Sequence, residues 1–167
     1  LGGDGVDTIN IAVSMTGSSY SSYNDYVVDG GAGADTLSLN LYNDYEIYAN
    51  TISMTGGATD SADDIMTLVM SAESYVSYNT VNMDGGGGAD VLSLSMAVTG
   101  TSYEGGSGSE VQVYSNSVTM SGGAGNDALT VALTGTSFVS NNTVTMDGGA
   151  GADTLSLSLA VTGTSYE

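Results

Sequence analysis

The stretch NTVTMDGGAGADTLSLSL, residues 142–159, holds the pattern that decides the fold. A glycine-rich centre, Gly148 to Asp153, separates two segments whose apolar residues fall on alternate positions. Val144 and Met146 precede it, and Leu155, Leu157 and Leu159 follow it. A period of two places such residues on one face of an extended strand. The pattern recurs, with Gly-Gly pairs opening at Gly2, Gly30, Gly56, Gly85, Gly122 and Gly148. Their spacings of 28, 26, 29, 37 and 26 residues define a minimal rung of 26 with insertions.

Each turn closes on an acid: Asp7, Asp35, Asp64, Asp90, Asp127 and Asp153, the third after three extra residues. A strand with alternate apolar residues follows, such as Leu37, Leu39 and Leu41 or Leu92, Leu94 and Met96. A second strand precedes each pair from the second onward, with Asn24, Asn50, Asn79, Asn116 or Asn142 six residues before it. Tyr26, Ile52, Val81, Val118 or Val144 stands four before the pair, and Val28, Met54, Met83, Met120 or Met146 two before. The asparagines read as an inward ladder, with amides bonding up and down the stack. The plainer reading is an Asn that starts each strand. Aromatic residues in the middle stretch, at Tyr20, Tyr103, Phe138 and Tyr166, with Tyr45 or Tyr48 and Tyr75, suggest a column along one edge. Such a column could also serve as a sugar platform.

No rung buries enough surface alone, so rungs must stack their Leu, Val and Met into continuous columns. Glycine density and the period of two exclude helix. The expected fold is all-β, a parallel β-solenoid of the β-roll or β-helix kind, with about six rungs and two main strands in each. Residues 1–167 read as one repetitive domain, a segment or subunit of a longer assembly. Residues 104–113, where the fourth unit is 11 residues longer than the minimum, read as a protruding insertion.

The 167 residues include no Lys, Arg, His, Cys, Pro or Trp, and 19 acids give a formal charge of −19. Nothing here neutralises phosphates, so nucleic acid is excluded as a partner. No apolar run approaches the ~18–20 residues that span a bilayer, and membrane insertion is not expected. The chain is nevertheless 41% hydrophobic with mean hydropathy +0.09, and its acids are scattered singly, unlike a disordered acidic tail. A folded polyanion without cationic side chains points to bound metal.

Gly-Gly-x-Gly-x-Asp followed by an apolar-x-apolar strand resembles the RTX, or hemolysin-type, calcium-binding repeat. The resemblance covers the turns and the strands after them, with one turn per long rung where that family repeats a short nonapeptide. It implies several Ca²⁺ ions along one edge, held by Asp7, Asp35, Asp64, Asp90, Asp127 and Asp153. Carbonyls of the turn glycines Gly31, Gly33, Gly86, Gly88, Gly123, Gly125, Gly149 and Gly151 would complete the shells. Asp29, Asp84 and Asp147, just before the pairs, are optional additions because Thr55 and Ser121 replace them in other units. The alternative is that each closing Asp merely hydrogen-bonds backbone amides.

Without a His or Lys base or a Cys nucleophile, and with acids in equivalent turn positions, the chain does not read as an enzyme. Asp25, Asp44, Glu46 and Glu73 read as solvated side chains. The expected role is a calcium-stabilised structural or adhesive module of a filament, matrix fibre or adhesin. It would lie outside a bacterial cell, secreted or at its surface, with glycan or surface contacts. The chain opens on a Gly-Gly turn and stops where the next Asn strand should begin, so rungs of successive copies are expected to stack end to end. An alternative role is ligand or ice binding by outward hydroxyls such as Thr51/Ser53, Ser117/Thr119 and Thr143/Thr145.

Overall fold

A computed structural model describes residues 1–17, 20–57, 61–100 and 111–163. The chain winds into a parallel β-solenoid of about five turns with three walls. The first wall, here the Leu wall, has six strands: Thr8–Met15, Thr36–Asn43, Ile65–Ala72, Val91–Val98, Ala128–Gly135 and Thr154–Val161. Each Leu-wall strand but the last is followed in the chain by a strand of a short wall, made of Tyr20–Ser22, Glu46–Tyr48, Tyr75–Ser77, Gln112–Tyr114 and Phe138–Ser140. The Met wall follows, with Asp25–Asp29, Thr51–Gly57, Thr80–Gly87, Ser117–Ala124 and Thr143–Ala150. All pairing between coils is parallel and in register. Ile9, Leu37, Met66, Leu92, Leu129 and Leu155 therefore form one unbroken column. Among the described residues no helix is long and apolar enough to cross a membrane.

The two long strands of each rung are those anticipated from alternation. The short wall is a correction to the count of two, because three residues present one inward side chain and show no period. That side chain is Ile47, Val76 or Val113 in the three middle coils, each 0% exposed, with Ser21 and Val139 in the same column at its ends, and the column closes the core's third side. The insertion also needs revision. Val111 and Val113 are buried and Gln112–Tyr114 is a wall strand, while 104–110 lie outside the described residues.

The corner between short and Met walls explains the invariant asparagine. Tyr23, Ala49, Tyr78, Ser115 and Asn141 all take positive φ, 50–56°, a conformation that costs a non-glycine residue ~1–2 kcal/mol. The next residue is the Asn, and its side chain holds the corner. Asn79 Oδ1 accepts both the amide and the Nδ2 of Asn50, at 2.9 and 3.1 Å. Its own Nδ2 donates to Ile47 O, Ser77 O and Asn116 Oδ1. The same bonds run from Asn24 through Asn142, so the inward ladder is real.

Replacing Asn79 by Ala removes all five of these bonds and strands buried donors and acceptors, at ~1–3 kcal/mol for each group left unmade. Asn24→Ala loses a single side-chain bond at the stack's end. Urea unfolding should show Asn79→Ala destabilised by about 3 kcal/mol or more, and Asn24→Ala by about 1 kcal/mol or less. Equal losses would mean that the ladder does not hold the corners.

Candidate functional site

The glycine turns have the backbone the motif requires. Gly31, Gly33, Gly86, Gly88, Gly123, Gly125, Gly149 and Gly151 all have positive φ. The closing aspartates, however, point into the stack and not out toward solvent. Asp35, Asp64, Asp90 and Asp127 are 0–2% exposed, with Asp7 and Asp153 half-buried toward the ends. Each Oδ1 accepts the backbone amide of the Asp one coil earlier. The distances from Asp7 to Asp153 are 2.7, 2.7, 2.8, 2.8 and 3.0 Å. The first glycine of each pair exists for this carboxylate: a Cβ on Gly30, Gly85, Gly122 or Gly148 would overlap Oδ2 of Asp35, Asp90, Asp127 or Asp153.

The result is a buried column of carboxylates, one per coil, with neighbours ~4.8 Å apart. Oδ2 of Asp35, Asp90 and Asp127 is buried with no hydrogen-bond partner. Burial pushes the Asp90 carboxyl up from 3.8 to about 6, against the pull of the Asp64 amide, and the charges of Asp64, Asp127 and Asp63 push the same way. The column thus favours whatever neutralises it, and this chain has no Lys, Arg or His to do so.

Asp29, Asp84 and Asp147 lie on the other side of the wall. They point outward from the Met wall in register with Thr55 and Ser121, so acid and hydroxyl alternate along the stack. The alternation keeps like charges two coils apart, ~9.6 Å, and Thr55 donates its hydroxyl to Asp29 at 3.1 Å. Asp147 Oδ1 accepts the Gly149 amide at 3.1 Å. Inner and outer acids therefore do not converge. Among the described residues, no three acidic side chains gather where they could hold one metal ion. Turn carbonyls run along the stack as well: Ala32, Ala124 and Ala150 accept the amides of Gly5, Gly88 and Gly125. In chemistry the donors suit calcium, being hard and anionic. In this arrangement they do not assemble its six to eight oxygens around one point.

The aromatic residues form a herringbone over the short wall. Tyr20, Tyr45, Tyr75 and Tyr114 make one run and Tyr23, Tyr48, Tyr78 and Tyr114 a second, with centroids 5.2–6.5 Å apart and planes at 68–88°. Tyr103 and Tyr166 lie outside the described residues. Tyr23, Tyr78 and Tyr114 escaped the sequence reading because they alternate between two adjacent positions. Ser22–Tyr23, Tyr48–Ala49, Ser77–Tyr78 and Tyr114–Ser115 swap large and small on successive coils.

Asp25 and Glu73 are exposed, and Asp44 accepts the Gly17 amide at 2.9 Å. Glu46 differs from the solvated reading: it is half-buried, accepts the Ser77 hydroxyl at 2.8 Å, and has its carboxyl raised by burial against that bond. A cavity of about 320 Å³ at the last coil, between Leu133, Val139, Asn142, Val144, Leu157 and Leu159, has no acid in its lining. Comparison with protein-family models, curated proteins and solved structures finds no match to this chain.

An acid whose pKa is higher folded than unfolded holds its proton better in the native state. The stability that Asp90 contributes is therefore complete below about 3.8 and lost as pH rises through about 6. In chelator, the wild-type melting temperature should fall between pH 5 and pH 8. Asp90→Asn keeps an oxygen for the Asp64 amide and removes the charge. It should melt about 4 °C or more above wild type at the upper end of that range, with a shallower pH dependence. A melting temperature at or below wild type there would show that the charge is not a burden.

Proposed function

We propose that this chain is a non-enzymatic structural or adhesive module, a rod-like segment of an extracellular filament, matrix fibre or bacterial surface adhesin stiffened by calcium. The observation that carries this reading is the buried carboxylate column in a chain of charge −19 without one Lys, Arg or His. Such a column repels itself unless counter-charge arrives from outside, and calcium prefers oxygen donors of this kind. For the closing aspartates to supply carboxylates to calcium, the column would have to open from its closed arrangement; Asp29, Asp84 and Asp147 would hold further ions at the surface.

A rod of stacked coils also suits end-to-end growth. Leu155, Leu157 and Leu159, inward-facing by register, are 46–60% exposed on the last strand. They offer a surface for a further coil, whether of the same chain or of another copy. A second reading is supported by the outward columns Thr51–Thr80–Ser117–Thr143 and Ser53–Asn82–Thr119–Thr145, which fit a hydroxyl-binding ligand or ice. Asp25 and Val27 break those columns at one end.

Circular dichroism and thermal melting in calcium and in chelator, at neutral pH, test the main reading. Calcium should raise the melting temperature by more than ~10 °C, since several ions bind only the folded chain. Magnesium, which keeps its waters, should do less. Identical melting in calcium and chelator would remove calcium from the proposal. Stabilisation by acid alone would leave protons as the neutralising agent.

A further inference from the structure

The three walls differ in what they show to solvent. The Met wall carries Asp25, Asp29, Asp84 and Asp147, and the short wall carries Glu46 with Asp44 and Glu73 at its approach. The Leu wall has four outward positions on each of six strands, and none of the 19 acids occupies one. Its outward residues are Ser, Thr, Ala and Asn, with Ile65, Val69, Val91 and Tyr42 the larger exceptions. Ile65 and Val91 are paired in register and 47% and 43% exposed. Beside them runs a column of hydrogen-bonding side chains alone, including Ser38, Thr67, Ser93 and Thr130.

We propose that the outward face of the Leu wall is a lateral interface on which a second copy of this chain packs, sheet against sheet. The inference deepens the structural-module reading and rests on it, adding side-by-side bundling to end-to-end growth. Charge decides the partner. Of the three walls the Leu wall alone carries no acid of its own, so two copies of a polyanion meet least repulsion there, with Asp44 and Glu73 beside Tyr42 at its edge. The area is sufficient: six strands at ~4.8 Å and eight residues at ~3.3 Å give roughly 700 Å² per copy, near the ~800 Å² per partner of a standard stable interface. Small side chains let two sheets approach to ~10 Å, and Ser, Thr and Ala lose little rotamer freedom on burial. Because the remaining surface repels, the association strengthens as salt screens it.

Sedimentation equilibrium of the full chain, in low and high sodium chloride and in calcium, tests this, with circular dichroism reporting the fold in each sample. The expected result is self-association that tightens with sodium chloride. Ser93→Asp should weaken it at least tenfold, and Thr119→Asp on the Met wall should leave it unchanged. Since the chain has no cysteine, Ser95→Cys supplies an independent readout that a folding defect in the Asp variant does not affect. Under mild oxidation it should give a disulfide dimer, and Thr119→Cys should not. A folded wild type that stays monomeric at high salt overturns the interface, as does association that Ser93→Asp and Thr119→Asp alter alike. Monomers that shape growing ice crystals would also overturn it and give the face to ordered water. A calcium-dependent fold with no lateral association would sink this inference alone. Association by a fold indifferent to calcium would sink only the calcium reading.

Discussion

In a parallel coil every side chain stands ~4.8 Å from its counterparts in the coils above and below, and this like-on-like contact governs the whole chain. Apolar groups accept it gladly, which is why Leu, Val, Ile and Met fill seamless inward columns. Amides accept it too, because Asn is donor and acceptor at once. The asparagine at each corner bonds its own copies and the short-wall carbonyls while holding the neighbouring residue at positive φ. Large or charged groups do not accept it. The exposed tyrosines alternate between adjacent positions, and the outer acids alternate with Thr55 and Ser121. The rung repeat is thus accompanied by a two-coil repeat wherever size or charge forbids direct stacking.

The inner aspartates are the exception, and the exception is where chemistry concentrates. They stack on every coil, buried, with one oxygen spent on a backbone amide and the other enclosed beside a glycine. A hydroxyl or amide could accept the same amide without charge. The carboxylate adds a demand for a counter-ion or a proton, and the chain supplies neither cation nor base. A fold built this way would respond to the pH and the cations of the medium around it.

Charge also sorts the walls. With no cation available for pairing, the acids cannot be balanced locally, and those among the described residues lie at the glycine edge, the Met wall, the short wall and the corners. What remains is a flat wall of small uncharged residues, and bundling through it would let rods of high like charge lie together.

The strands flanking each glycine turn, the stacking of rungs and the asparagine ladder were all legible in the sequence. Period and spacing are local properties, and a residue repeated at one place in every rung must meet its copy once the rungs coil. The short wall was hidden because three residues hold no period. The direction of the closing aspartates was hidden because a turn motif specifies backbone torsions but not which way its last side chain faces. Coiling decided that: only with the next rung in place does a buried amide lie within reach of Oδ1, and satisfying it draws the carboxylate inside. The two-coil alternation and the uncharged wall likewise emerged from register, which sets residues from 26 to 37 positions apart side by side.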